Sequence, residues 1–190
     1  MKLLFASLIV ICSACTAARP HFDLMGGMRN FDNRTDWEQT GEQSAIGIQA
    51  NTASSDGFGL ETSFIISDDL SNDNRYVNRP VYYSQSKIRE YSFGMRKNFM
   101  LGNKFQAYLS GGYSATFLKT TAALTYAAAR QDSSMALSPY AQVGINYLMG
   151  EHYTCGILYR RSFWGEDETA FINDPPTDSN LFMFTVGYSF

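Results

Sequence analysis

Leu181-Phe182-Met183-Phe184-Thr185-Val186-Gly187-Tyr188-Ser189-Phe190 decides how the rest of the chain reads. Large apolar side chains stand at Phe182, Phe184, Val186, Tyr188 and Phe190, with smaller or less bulky groups between them. A period of two belongs to a strand whose side chains alternate between its faces. One face is strongly apolar, and in water such a strand invites aggregation unless something covers it. A lipid bilayer is one such cover.

The same alternation recurs back to residue 20 and predicts eight strands, over 20–30, 44–50, 58–67, 87–99, 104–117, 137–148, 153–163 and 181–190. One face carries Phe22, Leu24, Ile46, Ile48, Phe64, Phe93, Leu109, Val143 and Ile157. The other carries small and polar groups, among them Gln49, Ser63, Ser92, Asn98, Ser110, Gln142 and Asn146. It also holds one glycine per strand: Gly27, Gly47, Gly59, Gly94, Gly112, Gly144, Gly156 and Gly187. Small and polar side chains suit the inside of a narrow eight-stranded cylinder. Tyr108 and Tyr140 are the bulky exceptions on that face and are expected to fill space beside glycines.

The connections alternate in length. Residues 51–57, 100–103 and 149–152 are short, while 30–43, 67–86, 118–136 and 164–180 are long. Short turns at one rim and long loops at the other characterise a membrane barrel, with both termini at the short-turn, periplasmic side. Ten tilted residues at roughly 3.3 Å each also match an apolar band about 25 Å tall. A soluble up-and-down barrel would turn Phe, Tyr, Leu and Ile inward and coat its outside with glycine and serine. The expected fold is therefore all-β: an eight-stranded antiparallel up-and-down transmembrane β-barrel. Segment 118–136 is rich in alanine and threonine, and its sequence does not choose between a short helix and a hairpin standing above the membrane.

Whole-chain properties agree. The 190 residues suit one domain, and a net charge of −3 gives no electrostatic footprint for nucleic acid. No apolar run after residue 20 is long enough for a membrane helix, and alternating faces hide membrane strands from a hydropathy scan. Residues 1–18 read as a secretory signal, with Lys2, a short apolar run and the small residues Thr16-Ala17-Ala18. The barrel domain would then span 19–190. Lipidation at Cys15 is the alternative, although the usual bulky aliphatic three residues earlier is missing. Cys155 would be the one cysteine of the mature chain, which leaves no intrachain disulfide. No cysteine and histidine cluster has metal spacing, and neither a metal nor a cofactor is expected.

On these residues the chain resembles the OmpA and OmpX type of small outer-membrane barrel. Tyr188-Ser189-Phe190 resembles the family's carboxyl-terminal signal for the barrel-assembly machinery, with Tyr188 and Phe190 as the signal residues. Phe105-Gln106-Ala107-Tyr108-Leu109-Ser110-Gly111-Gly112-Tyr113 resembles the Pro-Tyr-Val-Gly-Gly-Gly-Tyr type of strand, with alanine for the proline. The resemblance implies location in the outer membrane of a Gram-negative cell after signal-directed export. Its implied partners are outer-membrane lipid and lipopolysaccharide, the assembly machinery during insertion, and a host or surface ligand at the loops. Larger relatives add a peptidoglycan-binding domain, and its function is expected to be absent here.

Inward-facing ions are the sharpest candidate site. Asp23, Glu61 and Glu90 are set against Arg29, Arg96 and Arg160, because buried charges are costly unless paired. Glu61 and Arg96 lie on neighbouring strands at similar height, so an ion pair is expected there. Glu90, Arg160 and Arg29 sit higher and are placed to meet across the lumen. Such a network is a structural plug or a gate in a narrow ion pathway.

Catalysis is not expected. Histidine is the usual general base, and His21 and His152 both fall near the short-turn side. Outer-membrane lipid A deacylases and acyltransferases place a histidine and a serine near the outer leaflet, where this sequence has no histidine. Omptin-like proteases need ten strands. In the long loops, Trp37, Tyr76, Tyr82 and Tyr83 are candidate partner contacts, and Trp164 suits the interfacial aromatic belt. Outward charges fall near the rims, with Lys97 and Arg161 beside aromatic residues and able to snorkel to headgroups. The expected role is a non-enzymatic surface protein of the envelope, acting in integrity or adhesion. A narrow passive channel is the alternative, and a lipid-modifying enzyme comes third.

Overall fold

A computed structural model describes residues 20–31, 42–68, 82–124, 130–163 and 178–190, with the backbone alone for 82–86, 120–124 and 130–134. Eight strands close into one antiparallel barrel in chain order. They are β1 (His21–Phe31), β2 (Glu42–Asn51), β3 (Phe58–Asp68), β4 (Tyr82–Leu101), β5 (Phe105–Leu124), β6 (Arg130–Met149), β7 (Tyr153–Ser162) and β8 (Ser179–Ser189). The seam pairs β1 with β8 from His21↔Ser189 to Phe31↔Ser179. At the short-turn rim, Phe190 N–H donates to Pro20 O, and Ser189 N–H donates to His152 O. Closure leaves no open edge over the barrel's own height, which is what an apolar sheet needs.

Side-chain alternation sets the two faces. Val143, Ile157 and Phe184 are 49, 53 and 73 % exposed, and Phe64 shares their outward register. The apolar face therefore looks away from the axis. Outward aromatics cluster near both ends of the wall. Phe22, Phe190, Tyr188 and Tyr153 make edge contacts near the short turns, while Phe64 stacks on Tyr91 and Tyr91 meets Phe117 higher up. Two aromatic girdles bounding an apolar band are the signature of a barrel held in a bilayer. The turns at Gly102 and Gly150 take φ of 76° and 78°, where a side chain would be strained.

The inner glycines are positions of close approach. A Cβ on Gly144 would meet the Tyr108 ring, and one on Gly94 would meet the Tyr140 hydroxyl and the Gly111 carbonyl. Both tyrosines thus lie over missing side chains.

Two sequence expectations are corrected. First, β4, β5 and β6 are twenty residues each, about twice the length of the other strands. Within 118–136, residues 118–124 continue β5 and residues 130–136 belong to β6, paired as far as Ala122↔Arg130. Tyr82 and Tyr83, expected in a loop, belong to β4 opposite Leu124 and Ala123. Second, the inner face is not uniformly small and polar. Met25, Ala45, Ile65, Tyr108, Leu158, Leu181 and Met183 form a buried apolar cluster inside the wall. Trp37, Tyr76, Trp164 and the segment 1–18 lie outside the described residues.

Candidate functional site: an ion network across the lumen

Arg29 on β1 and Arg160 on β7 both sit level with Leu181 on the intervening β8. Glu90 projects from β4, on the opposite wall. Its carboxylate accepts from Arg29 Nη2 at 2.5 Å through one oxygen and from Arg160 Nη1 at 3.0 Å through the other. All three side chains are at most 1 % exposed. Two cations pointing at one site would repel. The shared carboxylate, with charge-assisted hydrogen bonds, holds them together.

Arg160 is saturated further. It donates from Nε to Gln142 at 2.8 Å, from Nη1 to Ser92 at 3.1 Å and from Nη2 to Ser63 at 2.9 Å. Its guanidinium also lies over the Tyr140 ring at 4.4 Å. Ser63 belongs to β3 and Arg160 to β7, so this contact spans the barrel. Gln142 on β6 reaches Gln49 on β2, directly opposite, at 3.5 Å. Side chains that meet across the axis occupy it, as expected when eight strands leave an interior just wide enough to fill.

Below this hub lies the second acid. Glu61 is opposite Gly94, and Arg96 is opposite Gly59, which makes the two diagonal neighbours. Arg96 Nη1 stands 3.5 Å from Glu61 Oε2, and no hydrogen bond satisfies that oxygen. Ser110 donates to the other carboxylate oxygen at 3.0 Å, and the Tyr140 hydroxyl donates to it at 3.4 Å. Arg96 is held by Asn98 at 2.8 Å, and its guanidinium carbon lies over Tyr108 at 3.5 Å from the ring centre.

Asp23 departs from the expected three-against-three pairing with the arginines. Its carboxylate meets His21 Nε2 at 2.8 Å, and the opposite ring nitrogen of His21 meets Ser189 Oγ at 2.7 Å. Thr154 Oγ1 adds a longer contact at 3.4 Å. From sequence His21 reads as a rim residue without a task; the strand alternation that turns Asp23 inward turns His21 inward as well. The series contains the residue types of a hydrolytic triad. Ser189 N–H donates to His152 O and Phe190 N–H donates to Pro20 O. What the series does is stitch β1 to β8 and β7 at the short-turn rim. His152 lies outside it, with its Nδ1 2.9 Å from Ser189 O and its ring stacked on Tyr188.

Of the terminal residues, Tyr188 and Phe190 both face outward and pack edge to face at 5.0 Å. Cys155 is a free thiol in the outward register of β7. Among the described residues no group of histidine, cysteine and carboxylate side chains is arranged to hold a metal ion.

An apolar outer wall, aromatic girdles and an ion-filled lumen define the class of small membrane-type β-barrels. The chain belongs to the outer membrane protein beta-barrel domain family, whose model matches residues 3–190. Solved barrels share the fold at low identity. A major outer membrane protein from Thermus thermophilus is 11 % identical with a TM-score of 0.65, covering 92 % of this chain and 100 % of that one. Neisserial surface protein A is 11 % identical with a TM-score of 0.60, covering 90 % and 96 %. Ail, the attachment invasion locus protein of Yersinia pestis, is 11 % identical with a TM-score of 0.56, covering 91 % and 97 %. No curated protein matches the sequence.

Proposed function

We propose that the protein is a non-enzymatic outer-membrane anchor whose lumen is closed and whose working surface is the end carrying the long connections and the raised β4–β6 sheet. The observation that carries this reading is the three-residue bridge Arg29–Glu90–Arg160. It joins opposite walls and is at most 1 % exposed. A solute passing along the axis would have to break two buried ion pairs, each removal stranding a charge in low dielectric. The two histidines lie at the other rim, away from the outer leaflet, which argues against lipid chemistry. Partner contact at the surface also fits the name of one similar barrel, an attachment invasion locus protein.

Two measurements test the reading. In planar bilayers the protein is expected to show no stable conductance; a steady open pore altered by Glu90→Ala or Arg160→Ala would replace the plug with a gated channel. Cells displaying the protein should adhere to a matrix or host surface. Deleting residues 32–41, 69–81 and 164–177 together with the raised tip 118–136 should abolish that adhesion, and undiminished adhesion would remove the surface role.

A further inference from the structure

The outer face of β4 and β5 carries a feature that neither the plug nor the loops use. Lys87 and Lys119 are direct cross-strand partners in the outward register. Arg89 follows on the same face of β4, opposite Phe117. Like charges directly opposite in a sheet are destabilising. Among the described residues, one ion pair reaches the three cations: Asp68 on β3 meets Lys87 at 3.3 Å. Arg89 and Lys119 are exposed and have no ion-pair partner among the described residues.

Depth says what this patch faces. Phe117 on β5 stands level with Arg89, and Tyr91 on β4 and Phe64 on β3 stand just below, with Tyr91 in ring contact with both of the others. Such rings lie at the headgroup boundary. Arg89 is twelve residues along β4 from Leu101 at the short-turn rim. At roughly 3.3 Å per residue and a tilt of about 40°, that places it some 30 Å above the rim, just past an apolar band about 25 Å tall.

We propose that Lys87, Arg89 and Lys119 form a binding site for the phosphate groups of outer-leaflet lipid headgroups, a boundary-lipid site on the β4–β5 wall. The inference rests on the membrane reading above. A phosphate between the two lysines turns their repulsion into a bridge, and the planar guanidinium of Arg89 presents paired donors to its oxygens. The lipid's acyl chains would then lie down the wall over Tyr91, Phe117 and Phe93. A soluble polyanion would find the charges but not that apolar continuation, so the observations favour lipid.

The full chain is refolded into phosphatidylcholine vesicles, with or without lipid A in its phosphorylated or dephosphorylated form. Its urea midpoint is read by heat-modifiable gel mobility. Phosphorylated lipid A should raise the midpoint, and the dephosphorylated form should not. The double variant Arg89→Gln/Lys119→Gln keeps the Lys87–Asp68 pair and should lose most of the rise, with about a fivefold drop in lipid affinity for each cation removed. Lys119→Gln alone should lose part of it. In plain phosphatidylcholine neither variant should be less stable than the wild-type chain. Lys97→Gln, at the opposite rim, should keep the full rise. The proposal is overturned by an equal rise in the double variant, by an equal rise with dephosphorylated lipid, or by loss of the rise in Lys97→Gln. An equal rise from a soluble sulfated saccharide would assign the patch to a soluble ligand and overturn the lipid site. Absence of any heat-modifiable species in either vesicle would sink the membrane reading first, and with it the site.

Discussion

Glu90 and Glu61 are two carboxylates buried in one lumen, yet they are held differently. Glu90 is gripped at both oxygens by two arginines from the far wall. Glu61 takes one arginine at 3.5 Å and leaves an oxygen without a hydrogen bond. The difference follows from position. Arg29 and Arg160 flank β8 at one level and converge on whatever faces them, whereas Arg96 comes from the strand adjacent to Glu61 and divides itself between Asn98 and the Tyr108 ring. A cross-lumen hub ties opposite walls together; a neighbour pair ties only two adjacent strands.

Substitutions can break or sharpen that contrast. The largest effect belongs to Glu90→Ala, which strands two buried guanidiniums and should cost about 3–5 kcal/mol in urea unfolding from vesicles. An effect no larger than that of Glu61→Ala would erase the distinction. Glu61→Ala should cost less, about 2–3 kcal/mol, because Arg96 keeps Asn98 and Tyr108. Gly144→Ala pushes a methyl into the Tyr108 ring and should cost about 1–3 kcal/mol. A double-mutant cycle of Gly144→Ala with Glu61→Ala should show coupling through Arg96, while the cycle with Glu90→Ala should be closer to additive. The smallest is Ser63→Ala, which removes one acceptor from Arg160 and should cost about 1–2 kcal/mol, since Gln142, Ser92 and Glu90 remain.

Much of this is readable from residues. Lipid on one side and packing on the other give each strand a period of two, so the faces of Val143, Ile157 and Phe184 follow from spacing alone. The position of Arg96 relative to Glu61 follows from counting up two adjacent strands from a short turn. Other features are hidden for physical reasons. Beyond residue 118, Lys119-Thr120-Thr121-Ala122-Ala123 has no apolar and polar contrast, so the upper part of β5 leaves no periodic trace. Leu181 and Met183 alternate with Phe182 and Phe184, and two apolar faces look alike to a pattern search even though one is inside. Counting charge without geometry sets Asp23 against the arginines. Its true partner, His21, is two residues away on the same face. The Lys87–Lys119 juxtaposition requires the register of β4 against β5, which depends on the turn at Gly102 and not on composition.

The seam carries a consequence for how the molecule comes into being. His21 and Ser189 are hydrogen-bonded partners 168 positions apart, and every pairing between β1 and β8 is nearly as remote in sequence. β1 therefore waits with one bare flank until β8 has been made and delivered. Contacts of such long range are slow to form, and a waiting flank is open to the wrong neighbour. No fragment lacking β8 can be a smaller version of this cylinder: it would be a curled sheet with two hungry borders.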